Sequence, residues 1–235
     1  MERIDKIIAA QTNYSRKDVK KLISQKKVRV NDEIVKRPEQ KFDEQQDTIY
    51  IDENKLDMKK HIYLVLNKPQ GYISATEDRT AKTVLDLVPE QYKRKGLFPA
   101  GRLDKDTTGM MIITDDGEFA HNILAPRKHI EKTYRVQIDI DITEEMKEKF
   151  KQGIVLKDHV CCPATIVVED KNTALITITE GKYHQIKRMF GCFGAKVVNL
   201  HRISMGGLQL PSDLKEGQCR ELTAEELEKV CKRDK

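Results

Sequence analysis

The sequence has no tryptophan, and its aromatic residues together make up only 6% of 235 positions. Charged residues reach 34% against 38% hydrophobic, the balance of a well-solvated chain. No apolar run approaches the roughly 20 residues needed to cross a bilayer, which excludes a membrane-spanning helix and a membrane partner. The opening Met-Glu-Arg-Ile-Asp has no apolar stretch of the signal-peptide kind, so a cytoplasmic location is expected. Cysteines are few and unpatterned: Cys161, Cys162, Cys192, Cys219 and Cys231 are odd in number and contain no C-x-x-C pair. That excludes a disulfide framework and a zinc ribbon. His159-x-Cys161-Cys162 imitates a metal cluster, but neighbours on a strand face opposite sides and no fourth ligand is evident. Reduced, structural thiols and no metal site are the expectation. No internal repeat is visible.

What is present is unevenly distributed charge. The net of +5 is only mildly basic, and says little by itself. Within residues 16–41, however, Arg16, Lys17, Lys20, Lys21, Lys26, Lys27, Arg29, Lys36, Arg37 and Lys41 face only four acids. The following stretch reverses sign, from Asp43 to Asp57. A basic block with an acidic flank suits an oriented surface for a polyanion.

The length allows one large domain or two modest ones. Residues 1–57 read as a small module. Ile4, Ile7 and Ile8 recur at helical spacing, and Ser15 with Asp18 predicts a capping box for a second helix carrying Val19, Leu22 and Ile23. Val28 to Val35 reads as two short strands around a polar turn, and Thr48 to Ile51 as another. The charged stretch from Asp52 to Lys60 predicts a linker. Residues 58–235 then interleave strands irregularly with a few helices. Strands are expected at 61–66, 110–113, 131–136, 164–168, 174–179 and 197–202. Helices are expected at 83–88, 117–124, 143–150 and 184–190, with a capping-box start at Thr223 and Glu226. The pattern argues for α+β with a mainly antiparallel mixed sheet.

The most informative stretch is Gly101-Arg-Leu-Asp-Lys-Asp-Thr-Thr-Gly109, followed by an apolar run and Thr114-Asp-Asp-Gly117, which reads as a tight turn. An aspartate beside an arginine on a loop is usually a surface ion pair. This segment, however, resembles the active-site segment of the RsuA/RluB-type ribosomal-RNA pseudouridine synthases. Further motifs follow in that family's order: Asn67-Lys-Pro-x-Gly71 before it, then Lys132-Thr-Tyr134, then Glu180-Gly-x-Tyr-His-Gln-Ile-Lys-Arg-Met-Phe190. The first 57 residues resemble the RNA-binding module first known in ribosomal small-subunit protein four. Arg3-x-Asp5, Ser15-Arg16, Leu22-Ile23 and Val28-x-Val30-Asn31 carry that likeness. One departure is Lys26-Lys27, where such modules commonly have a glycine.

The resemblance implies that Asp104 acts on the sugar of the target uridine and that Lys187 is its basic partner. A cation close to a buried carboxylate favours the charged form. It also implies that Tyr134 holds the base. Leu200 would supply an apolar wall, Arg102 would fill the vacated stack or grip phosphate, and Lys182, His184, Gln185 and Arg188 would line the RNA path. In the N-terminal module, Arg3, Arg16, Lys17, Lys20, Lys21, Lys26, Lys27 and Arg29 are the expected phosphate contacts. The reaction conserves atoms, so no cofactor or metal is needed. The expected partner is ribosomal RNA, with the protein a monomer. The wording of 126–134 and 180–190 is nearest the enzymes that modify one uridine of 16S rRNA. A 23S rRNA enzyme and a non-catalytic rRNA-binding assembly factor are the alternatives, the second disfavoured by the presence of Asp104, Tyr134 and Lys187 together.

Overall fold

The computed structural model describes residues 1–232. They form two compact units, one of residues 1–62 with 88–97 and one of 63–87 with 98 onward. The first contains β1 (Glu2–Arg3), α1 (Ile4–Gln11), α2 (Arg16–Ser24), β2 (Val28–Val30), β3 (Glu33–Ile34), β4 (Lys41–Phe42), β5 (Ile49–Ile51) and β6 (Asn54–Lys55). The apolar stripes of α1 and α2 pack with Val28, Val30 and Ile49 into one core. Ser15 and Asp18 form the expected reciprocal cap of α2, a device contributing about 1 kcal/mol.

Two local expectations change here. The stretch after Ile51 is a hairpin before it is a connector: Asp52 and Glu53 take φ of 46° and 66°, the geometry of a two-residue primed turn. Leu56 and Met58 then pack on the core. Lys26, at the place where glycine is common, takes φ 60°, so the turn keeps its left-handed residue despite a β-carbon. Residues 88–97 group with this unit through Arg94, whose Nη1 donates to Gln11 Oε1 (3.1 Å) and the Lys59 carbonyl (3.0 Å).

The second unit contains β7 (Tyr63–Lys68), β8 (Phe98–Ala100), β9 (Thr108–Thr114), α3 (Gly117–Leu124), β10 (Lys132–Ile138), α4 (Glu144–Gln152), β11 (Thr165–Asp170), β12 (Thr173–Ile178), α5 (Gln185–Gly191), β13 (Val197–Met205), β14 (Leu208–Gln209), β15 (Cys219–Glu221) and α6 (Ala224–Cys231). Its sheet runs β11-β12-β10-β13-β9-β7-β15, with β14 on β13 and β8 on β9. All pairings are antiparallel except that of β13 with β9. This is the α+β architecture with a mainly antiparallel mixed sheet. Leu64 to Leu66 and Met110 to Ile113 are wholly buried, as continuous apolar strands covered on both faces must be. No described helix is long and apolar enough to cross a membrane.

Helix ends follow the sequence closely, with three exceptions. Thr143 caps α4 by accepting from Met146 N, and Thr223 with Glu226 caps α6. Residues 83–88 give a 3-10 turn at Val84–Leu87 rather than a helix. Asp115-Asp116-Gly117, expected as a tight turn, is instead the start of α3: Asp116 caps the helix, accepting from Phe119 N at 2.9 Å. The helix expected from His184 starts one residue later, because His184 is left-handed at φ 47°.

The register of three strands sets the position of the cleft-facing residues. Tyr134 on β10 lies opposite Arg202 on β13, and Arg202 lies opposite Gly109 on β9. A β-carbon at Gly109 would sit 2.3 Å from the Arg202 carbonyl oxygen and 2.7 Å from its nitrogen, at φ +99°. Only glycine allows that approach. Gly109→Ala is therefore expected to destabilise the protein by about 3 kcal/mol, read from the denaturant midpoint; an unchanged midpoint would show that the strands separate freely here.

Candidate active site

The loop between β8 and β9 carries Asp104, and the turn after β7 holds that loop in shape. Lys68 ends β7 with its side chain wholly buried. Its ammonium donates to the carbonyls of Pro69 (3.1 Å), Asp104 (3.1 Å), Lys105 (3.4 Å) and Thr107 (2.7 Å). Gly71 N donates to the Lys105 carbonyl at 2.8 Å. Ser74 adds a two-way clamp on Leu103, donating to its carbonyl (2.7 Å) and accepting from its amide (2.9 Å). The Asn-Lys-Pro-x-Gly and Gly-Arg-Leu-Asp motifs are thus two halves of one scaffold. Burial pushes the Lys68 ammonium down to about 8, with Asp106 and Asp104 opposing that shift.

On this scaffold the Asp104 carboxylate is half-buried and doubly contacted. Its Oδ2 lies 2.9 Å from Lys187 Nζ and its Oδ1 lies 3.4 Å from His184 Nε2. Lys187 Nζ also bonds Asp106 Oδ1 at 2.6 Å. Partial burial works against the Lys187 charge, but the two carboxylates outweigh it and hold the ammonium above its usual value. Asp106 is correspondingly held below its usual range by the Lys187 hydrogen bond.

Tyr134 is buried and lines the same cleft as Asp104 and Lys187, as do Arg102, Lys182, His184, Gln185 and Leu200. Behind it stands Arg202, 1% exposed, with Nε donating to the Met110 carbonyl (2.6 Å) and Nη1 3.5 Å from Tyr134 Oη. Arg188 does not line this cleft. It is paired with Asp158 and donates to the Tyr183 carbonyl at 3.4 Å, so its chemistry is spent on holding the turn before α5. Gln185 also braces that turn, with Nε2 donating to Glu180 Oε1 (2.8 Å) and Oε1 accepting from Lys182 N (2.9 Å).

Sequence reasoning overlooked Lys68, Asp106 and Arg202. A lysine ending a continuous apolar strand was the available signal for Lys68; Arg202 carries none without the pairing of β13 with β9, and Asp106 none without α5, which brings Lys187 to it. Near the cysteines, His159, Cys161 and Glu180 bring ligand-type atoms within 4.8 Å of one another. Glu180 is the member of that cluster that its sequence position does not disclose. Its Oε1 already accepts from Cys162 N and Gln185 Nε2, both at 2.8 Å, and burial pushes the Cys161 thiol up to about 11.

In the first unit, Arg16, Lys17, Lys20, Lys21 and Lys26 are exposed. Three other expected phosphate contacts are engaged internally. Arg3 pairs with buried Asp5 at 3.0 Å, Lys27 pairs with Asp52 at 3.1 Å, and Arg29 lies 3.9 Å over the Tyr50 ring.

Residues 62–191 match the RNA pseudouridylate synthase family, and residues 2–49 match the S4 domain. The chain belongs to the RNA pseudouridylate synthase family. It is 41% identical to the ribosomal small subunit pseudouridine synthase A of Escherichia coli K12, over 97% of this chain and 99% of that protein. It is 40% identical to an RNA pseudouridine synthase of Bacillus subtilis over 96% of both chains. A crystal structure of a pseudouridylate synthase superimposes with a TM-score of 0.69 at 37% identity, covering 98% of this chain and all of that one. The synthase is therefore an isomerase with an S4 domain ahead of its catalytic domain.

Lys68→Met keeps the apolar stem but removes the donors to four carbonyls. It is expected to cost about 2 to 4 kcal/mol, because those acceptors are left unmatched. Amide exchange across residues 103–107 should quicken in parallel. Wild-type stability and exchange in this variant would mean that the loop holds itself.

Proposed function

We propose that Asp104 is the group that meets the ribose of a uridine in ribosomal RNA, with Lys187 as its cationic partner and Tyr134 as the surface that holds the base. The observation that carries this reading is the ion pair of Asp104 with Lys187 inside a cleft that Tyr134 and Leu200 also line. A duplex hides the sugar and base edges, so the target must first be everted into the cleft. The bond between N1 and C1′ then breaks, the uracil turns, and a bond forms between C5 and C1′. The hydrogen at C5 leaves as a proton and N1 ends protonated, so atoms and electrons balance without a redox partner. Tyr134 offers a flat ring for the turning base and a hydroxyl for proton movement. Leu200 keeps that side of the cleft apolar. Arg102 and Lys182, both exposed at the cleft, suit flanking phosphates.

The substrate we infer is small-subunit 16S rRNA. Support comes from the Escherichia coli relative, which is named for the ribosomal small subunit, and from the wording of residues 180–190. The S4 domain would add affinity through the exposed cations of α2. Mapping pseudouridine by carbodiimide chemistry across 16S and 23S rRNA, in cells with and without the gene, tests the assignment. One 16S position should lose its modification.

Asp104→Asn should abolish product while RNA affinity stays within about threefold, since one charge counts for little beside many phosphate contacts. Turnover undiminished in that variant would remove the mechanism. Replacing Lys17, Lys20 and Lys21 together with Gln tests the S4 surface separately. The slope of log affinity against log salt should flatten by about 2, near the loss of two to three phosphate contacts. An unaltered slope would make the block mere solvated surface.

A further inference from the structure

Tyr183 sits between Lys182 and His184, both of which line this cleft, and the roles above have no use for it. It is 76% exposed. One face of its ring lies on the His184 imidazole, with centroids 3.9 Å apart and planes 18° from parallel. His184 in turn reaches Asp104 Oδ1 with its Nε2 at 3.4 Å. From the carboxylate outward the order is therefore imidazole, phenol ring, solvent.

An exposed tyrosine on a loose loop would be ordinary surface, but this one is held. Its own carbonyl accepts from Arg188 Nη1 at 3.4 Å, and Arg188 is anchored by Asp158. On either side of it, Gln185 ties Lys182 N and Glu180 into the same turn. His184 sits in the left-handed region at φ 47°, ψ 35°, a conformation that costs a non-glycine residue about 1 kcal/mol or more. The turn thus accepts a strained backbone at the residue that backs the ring. Cationic Lys182 and Arg102 line the cleft that His184, beneath the ring, also lines. A fixed ring with a free face among cations is how proteins receive unpaired nucleobases, with stacking on the face and phosphates on the charges.

We propose that the Tyr183–His184 stack is a binding site for a second nucleobase, the immediate neighbour of the target uridine, which stacks on the open face of Tyr183 when the target is everted. This rests on the reading of Asp104 given above. It makes the cleft a two-base reader, in which the inner position does chemistry and the outer one fixes the RNA backbone relative to Asp104.

The test uses the full-length chain and a 16S rRNA fragment containing the uridine that the wild type converts. Tyr183→Ala is expected to raise KM on the order of 10-fold or more, the loss of one base stack, with kcat at saturating RNA within about twofold. Tyr183→Phe should keep the wild-type KM, because the ring and not the hydroxyl makes the contact. With 2-aminopurine in place of either neighbour of the target, wild type and Tyr183→Phe should quench one of the two probes, and Tyr183→Ala neither. Tyr183 is exposed, so thermal midpoints should coincide. An unchanged KM in Tyr183→Ala, or quenching that survives in it, overturns the stack while leaving the chemistry standing. A wild type that forms no pseudouridine in any rRNA overturns the underlying reading instead.

Discussion

The catalytic unit turns on an ammonium group that never reaches solvent. Lys68 has three donors and shares them among four carbonyls, of which those of Asp104, Lys105 and Thr107 belong to the loop that presents the carboxylate. Burying a lysine is unfavourable, and the downward pull on its basicity to about 8 expresses that cost. Neutral carbonyls offset part of it, and what they give back is geometry. A seven-residue polar loop between apolar strands would otherwise sample many conformations. Tied at Leu103, Asp104, Lys105 and Thr107, it has little freedom left.

The charges are layered. Lys68, Lys132 and Arg202 are all buried in the catalytic unit, and burial pushes Lys132 down to about 8 as well, with Arg202 adding to the effect. Asp104 stands outside this layer, at the cleft, and shares Lys187 with Asp106. Of these buried cations, Lys68 is the one whose charge acts on both carboxylates, a field present before any substrate arrives.

Legibility in the sequence followed locality. The capping boxes at Ser15 and Thr223 depend on residues three apart, and both were readable. So was the apolar strand of Met110 to Ile113, and so were the motifs that bring Asp104, Tyr134 and Lys187 into one cleft. What escaped depended on distant partners or on unusual backbone. Lys68 looked like part of a turn motif because three of the four carbonyls it serves lie some 36 to 39 positions away. Arg188 looked like an RNA contact because nothing local announces Asp158, 30 positions earlier. The hairpin at Asp52 and Glu53 read as a linker because its two turn residues include neither glycine nor asparagine, the strongest markers of a primed turn. His184 read as the first helical residue because its strain is invisible in a string of letters.

The sheet register explains why these separate pieces meet. Asp104 belongs to a loop, Tyr134 to β10 and Leu200 to β13, and no local rule connects them. β13 is the strand between: Tyr134 faces Arg202, Val136 faces Leu200, and Arg202 faces Gly109, the second residue of the strand that leaves the Asp104 loop. A slip of one residue in either pairing would turn every side chain to the opposite face and carry Tyr134 away from the cleft. The contact at Gly109 guards against that slip, because only one position along β9 lacks the β-carbon that would collide with the Arg202 backbone. Arg202 then fixes the other side, reaching the Met110 carbonyl and the Tyr134 hydroxyl from the same guanidinium. The glycine that ends the Gly-Arg-Leu-Asp segment is therefore less a hinge for the loop than a registration mark for the sheet. That is a physical reason for the Asp104 loop and a strand nearly a hundred residues later to behave as one site.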